Sequence, residues 1–199
     1  MSDEEQRTLD HIAEMLRVRM DGAPRRLAHS LGVAETAEHL AEVYGVDAFS
    51  ARAAGLVHDW DKVLTDEELL ARAARYGIPV VGSPVRAVGL LHGPVAAREL
   101  AEIFPELDGS VLQAVCRHTV GATDMTPLDM VVFVADAIEP HRRGSYAVEL
   151  RAAVGAVGLE ELFFRCFAQG LAYVISEGRY LYPTAIDIYN TYAARCGRA

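Results

Sequence analysis

Apolar residues recur at spacings of three and four along nearly the whole chain, and no stretch alternates apolar with polar residues well enough to make a strand. That period belongs to amphipathic helices and confines the chain to an all-α fold. A length of 199 residues suits one large domain. A compact chain of this size buries about 70% of its unfolded surface, so its core needs no disulfide or structural metal. No internal repeat, low-complexity tract or long linker divides it. The expectation is a single domain over residues 1–199 with about nine or ten helices.

Local signals place the helix ends. A first amphipathic stretch runs over residues 3–20, and a second follows Pro24 with Leu27, Leu31, Ala34, Ala37, Leu40 and Ala41 on one face. A third spans residues 47–58. Thr65-Asp66-Glu67-Glu68 reads as a capping box and starts a fourth. Residues 77–84, with Gly and Pro at their ends, read as a loop. Ser83-Pro84 opens the next segment, and Pro94 splits that segment from a helix ending near residue 104. Further helices are predicted from Asp108 to about residue 118, from Thr126-Pro127 to about residue 138, over residues 145–157 and 158–177, and after Pro183.

Composition excludes several classes. Hydrophobic residues make up 51% and charged residues 24%, which rules out a disordered tail or a collagen-like chain. The longest apolar run covers only residues 130–135, far short of the ~20 residues a membrane span requires. The start Met1-Ser2-Asp3-Glu4-Glu5 is acidic, the wrong chemistry for a secretory signal. Cys116, Cys166 and Cys196 are odd in number and widely spaced, which points to reduced thiols and a cytoplasmic location. The net charge of −9 opposes nucleic-acid binding. A small phosphorylated ligand stays possible, because a metal or a local basic pocket reverses the sign within one cleft. Lys62 is the only lysine among 19 basic side chains.

Four of the seven histidines and two aspartates stand out. His58 and Asp59 are adjacent at the end of the apolar run Ala53-Ala54-Gly55-Leu56-Val57. His92 follows Leu90-Leu91, His118 ends a helix, and Asp136 stands inside the most apolar helix, where a carboxylate is expected to be buried and to need a strong partner. His29 is ambiguous by itself, whereas His11, His39 and His141 read as packed or surface residues. Neighbours on a helix point about 100° apart. His58 and Asp59 therefore serve one ion only near a helix end, unless Asp59 bridges two ions. Imidazoles with carboxylates suit iron, manganese, cobalt, nickel or zinc rather than calcium, and six donors are enough for two ions. No cysteine has the spacing of a structural zinc site.

In this order, His29, then His58-Asp59, then Asp136 resembles the H…HD…D signature of the HD superfamily of metal-dependent phosphohydrolases, an all-α family. His92 and His118 match the extra histidines of its binuclear members. Five blocks are similar to the branch that cleaves diadenosine tetraphosphate symmetrically: Arg26-Leu27-Ala28-His29-Ser30-Leu31-Gly32-Val33, Gly55-Leu56-Val57-His58-Asp59-Trp60-Asp61-Lys62, Leu91-His92-Gly93-Pro94, His118-Thr119-Val120-Gly121 and Ala135-Asp136-Ala137-Ile138-Glu139-Pro140. The resemblance covers residues 26–190.

The resemblance implies a helical HD-domain fold and two divalent ions, with iron suggested over manganese, cobalt, nickel or zinc. One ion would be held by His29, His58, Asp59 and Asp136. The second would be held by Asp59, His92 and His118, with Asp59 shared. It also implies a metal-activated water that splits a dinucleoside tetraphosphate into two nucleoside diphosphates. Asp59 and Lys62 are the catalytic candidates, and Arg26, Lys62, Thr119 and Arg142 the candidate phosphate contacts. The partner is then a nucleotide substrate, with neither nucleic acid nor membrane; a homodimer stays open. Other readings are a different nucleotide phosphohydrolase of the superfamily (for a mononucleotide or guanosine polyphosphates), a di-iron oxygenase, or a non-catalytic nucleotide sensor.

Two departures from the branch bear on the pocket. Trp60-Asp61 stands where an uncharged pair is usual, which leaves Asp61 either to assist proton transfer or to pair with Lys62. His141-Arg142-Arg143-Gly144-Ser145 is shorter than the usual loop. The roles of Tyr180, Tyr182 and Asn190 stay open between bordering the nucleoside and packing the last helices.

Overall fold

Three helices begin on reciprocal capping boxes, in which an Ser or Thr hydroxyl accepts from the third backbone N–H while that residue's carboxylate accepts from the cap. The pairs are Ser2 with Glu5, Thr65 with Glu68, and Thr126 with Asp129. The computed structural model describes residues 1–197. Among them are ten α-helices and no strand: α1 (Asp3–Arg19), α2 (Pro24–Tyr44), α3 (Ala48–Val57), α4 (Asp66–Arg75), α5 (His92–Ile103), α6 (Gly109–Arg117), α7 (Pro127–Ile138), α8 (Ser145–Ala153), α9 (Leu159–Ser176) and α10 (Ala185–Arg195). A 3-10 turn, Val88–Leu91, leads into α5. The all-α expectation and the helix count hold. No helix among the described residues is long and apolar enough to cross a membrane.

Two boundaries differ from expectation. Pro94 lies in the first turn of α5 rather than ahead of it. Backbone N–H groups there have no intrahelical acceptor, so proline removes nothing. The helix expected over residues 145–157 stops at Ala153, because Gly155 takes a positive φ of 72° that ends the helical path.

The core is built on α2, α3 and α7. Val33, Ala34 and Ala37 meet Ala53, Ala54 and Val57 and, from α7, Val131, Val134 and Ala135, all with no more than 2% exposure. Small residues let these helices approach closely. At Gly55 an added Cβ would lie 2.7 Å from the Ala34 Cα, so α3 touches α2 backbone to backbone. Gly93 repeats the device, with its would-be Cβ 2.8 Å from the Val115 carbonyl oxygen, and brings α5 against α6. A smaller apolar cluster of Leu69, Ala73, Val88, Leu91 and Val95 fastens α4 over the 3-10 turn and α5. The ends of α3, α5, α6 and α7 and the first turns of α2 thereby converge on one cleft.

Candidate metal centre

Helix ends explain why the donors project into that cleft. His58 directly follows α3, His118 directly follows α6, and His92 is the first residue of α5 after the 3-10 turn. The last carbonyls of a helical segment have no intrahelical donor. Here each is taken by the histidine three residues on: His58 Nδ1 to the Gly55 carbonyl, His92 Nδ1 to that of Gly89, and His118 Nδ1 to that of Val115, all at 2.7 Å. A carbonyl only accepts, so each Nδ1 carries the hydrogen. Each Nε2 then presents a bare lone pair to the cleft.

The Nε2 atoms gather in pairs. His58 Nε2 lies 3.3 Å from His29 Nε2, and His92 Nε2 lies 3.0 Å from His118 Nε2. Asp59 divides its two oxygens between the groups. Oδ1 is 3.2 Å from His92 Nε2 and 3.6 Å from His118 Nε2, while Oδ2 is 3.9 Å from His58 Nε2. Asp136 Oδ1 is 3.1 Å from His29 Nε2. Donor atoms gather within 4.8 Å of one another in three trios: His29, His58 and Asp59; Asp59, His92 and His118; and His58, His118 and Asp136. Acceptors this close repel unless a cation joins them, and imidazole with carboxylate is the donor chemistry of a transition-metal site. The residues are therefore able to hold a metal.

Electrostatics keep them ready. Burial pushes the His58 pKa down to about 4 against the opposing pull of Asp59, and burial also lowers His92, so each ring stays neutral near pH 7, with a hydrogen on Nδ1 and none on Nε2. Burial alone would raise Asp59, but His58 and its neighbours hold the carboxyl well below the usual carboxylate range. Burial likewise raises Asp136, but the His29 hydrogen bond together with His58, Arg142 and His118 brings the net pKa below the usual carboxylate range. Burial lowers His29, yet the hydrogen bond and charge of Asp136 together with the Glu139 hydrogen bond outweigh it, and the net pKa is raised.

The cleft encloses about 570 Å³ and is lined by Arg25, Arg26, His29, Asp59, Lys62, His92, His118, Thr119, Asp136 and Arg142. The HD domain family profile matches residues 26–141. The chain belongs to the HD domain family. A symmetrical bis(5'-nucleosyl)-tetraphosphatase of Staphylococcus aureus is 31% identical over 84% of this chain and 87% of its own length. One of the same name from Bacillus subtilis is 30% identical over 83% and 88%. A crystal structure from Clostridium acetobutylicum, named a predicted HD superfamily hydrolase involved in NAD metabolism, superposes with a TM-score of 0.86 at 32% identity, covering 94% of this chain and 97% of that one.

All ten site residues named from the sequence come together, nine within the matched HD segment and Arg142 directly after it, although their settings vary. Asp136 is not sealed as expected. A quarter of its side-chain surface is open, on the cleft side. Arg142 donates to its Oδ1 at 2.5 Å and to its backbone carbonyl at 2.9 Å. Arg26 stands 3.7 Å from Asp59 Oδ2. Lys62 places Nζ 3.3 Å from His92 Nδ1, and burial lowers its pKa. The Thr119 hydroxyl sits against both imidazoles of the second pair, 3.0 Å from His118 Nε2 and 3.2 Å from His92 Nε2.

Asp61 corrects both expectations for it. It is fully buried and meets neither the cleft nor Lys62. It pairs with Arg19 at 2.6 Å and Arg72 at 3.6 Å, and Arg19 also donates to the Trp60 carbonyl. Tyr180 resolves toward packing, since its hydroxyl accepts from the Ser83 amide and secures the loop before the 3-10 turn.

Sequence reasoning missed three residues. Arg25 lines the cleft beside Arg26, and its position in the first turn of the same helix was the available signal. Glu139 is buried, with Oε1 3.1 Å from His29 Nδ1. It stands one helical turn after Asp136, a spacing that puts the two on one face. Arg151 donates to the carbonyls of Ile138, Glu139 and Arg142; nothing local marks it.

Proposed function

We propose that this HD domain is a binuclear-metal hydrolase that cleaves a dinucleoside tetraphosphate symmetrically into two nucleoside diphosphates. The observation that carries the reading is the division of Asp59, whose two oxygens address separate groups of imidazoles. A single-ion site has no use for that arrangement. His29, His58, Asp59 and Asp136 would hold one ion, and Asp59, His92 and His118 the other. Bound there, two divalent ions, iron by the resemblance, supply charge neutralisation and acidify water to a pKa of ~7.

The chain's own residues do the rest. His58 and His92, held neutral by burial, keep their lone pairs available near pH 7. Lys62 supplies a point charge, and Arg26 and Arg142 supply forked donors, around the phosphates of a substrate in the cleft. The Thr119 hydroxyl is within reach of the same oxygens. Attack of water on either inner phosphorus breaks the central P–O–P bridge and yields the same two products. The tetraphosphatases at 30–31% identity support this substrate, because they match the chain over most of its length. The free thiols of Cys116 and Cys166 agree with a reducing, cytoplasmic setting.

The test is elemental analysis of the purified protein together with chromatography of products from diadenosine tetraphosphate, mononucleotides and guanosine polyphosphates. The expected outcome is two metal ions per chain and ADP alone from the tetraphosphate. ATP with AMP, or preferential turnover of another nucleotide, overturns the substrate; oxygen consumption in place of hydrolysis overturns the reaction class.

A further inference from the structure

Three of the four imidazoles share one anchor, a backbone carbonyl three residues earlier in their own segment. His29 is the exception. Its Nδ1 faces the Glu139 carboxylate at 3.1 Å. That carboxylate has only 2% of its side-chain surface exposed. Its other oxygen accepts the His141 backbone N–H at 2.6 Å and lies 3.0 Å from His141 Nδ1. Arg151 fixes the same turn through the carbonyls on either side of Pro140. On α2, one turn past His29, Gly32 leaves the room that the carboxylate fills: a Cβ there would lie 2.9 Å from Glu139 Oε2.

A carboxylate draws on an imidazole N–H more strongly than a carbonyl does. It orients the ring and makes the opposite nitrogen a better donor, an effect commonly worth 10–100-fold in metal affinity. We propose that Glu139 is the positioning residue of one side of the centre only, acting through His29 Nδ1 and leaving the His92–His118 side untouched. The inference rests on the two-ion reading above. It makes the two cation positions unequal for a reason outside their ligand lists, and it assigns Gly32 a role as the space that admits the carboxylate.

The test uses metal-stripped protein titrated with Mn²⁺ by calorimetry, with thermal melting of each variant before metal is added. Glu139→Gln removes the charge at nearly constant size. Gly32→Ala keeps the charge, favours the helix, and pushes only the flexible tip of Glu139. The expected result is two binding events in the parent chain, with one of them weakened about 10–100-fold in both variants and the other within about twofold, while Gly32→Ala melts no lower than the parent. Equal weakening of both events, or two unaltered events, overturns this inference and leaves the proposed function standing. A parent chain that takes up no Mn²⁺ overturns the proposed function, and the inference falls with it.

Discussion

One carboxylate, Asp59, must serve two groups of imidazoles, and Asn in its place tests whether it does. The amide has one oxygen and no charge, so it cannot neutralise both positions. Asp59→Asn is expected to lower bound metal at both positions and to abolish hydrolysis, read by elemental analysis and product chromatography; retained full activity in metal-depleted Asp59→Asn protein contradicts the mechanism. Lys62 differs, since it lines the cleft 3.3 Å from His92 without offering a lone pair to a cation. A charge-assisted contact contributes about 1.5–3 kcal/mol, so Lys62→Ala is expected to reduce kcat/KM roughly 10–100-fold with metal content unchanged. Equal loss of metal would make Lys62 a structural residue. At this scale the ligand types and their order were legible in the sequence, because donor chemistry is a property of each side chain. Partnerships were not. Asp61 reads locally as a neighbour of Lys62, but its cations come from Arg19 on α1 and Arg72 on α4, and no local pattern brings these together. Glu139 acts on a residue 110 positions earlier in the chain.

Helix starts were legible where the signal is local, as in the hydroxyl–carboxylate box at Thr65 and the Thr126-Pro127 cap, since that chemistry lies within four residues. Helix pairing was not, because Gly55 and Gly93 matter through contacts with Ala34 and Val115 that only the assembled fold supplies. Those two glycines nonetheless set the site. Gly55 lies three residues before His58 and presses α3 on the helix that carries His29; Gly93 adjoins His92 and presses α5 on the helix that ends at His118. A methyl group at either place meets backbone, which has little room to yield. Gly55→Ala and Gly93→Ala are each expected to cost about 1–3 kcal/mol in denaturant unfolding, despite the better helix propensity of alanine. Gly109→Ala, with nothing within 4 Å of the new methyl, is the control and is expected to leave unfolding unchanged. A Gly55→Ala protein as stable and active as the control would mean that α2 and α3 separate freely.

Across the whole molecule, α2, the end of α3, the start of α5, the end of α6 and α7 each deliver at least one donor to one cleft. The core holds these acceptors against their mutual repulsion, which Arg142, donating to Asp136 at 2.5 Å, and Arg26, 3.7 Å from Asp59, offset in part. A cation bound there joins five helices distant in sequence, so metal occupancy is a term in global stability as well as in chemistry. Ligand that binds only the folded chain at 100 times its dissociation constant stabilises by about 2.7 kcal/mol. For a chain of this length that corresponds to a rise of roughly 5–11 °C in melting temperature per ion. Protein treated with a chelator and then dialysed is expected to melt lower by at least that interval than protein in excess Mn²⁺, with the difference lost in Asp59→Asn. The net charge of −9 sharpens the result, because a general ion atmosphere would stabilise parent and variant alike. A metal-dependent rise of equal size in Asp59→Asn would place the stabilising ions elsewhere on the acidic surface and remove the cleft from the account of how this fold holds together.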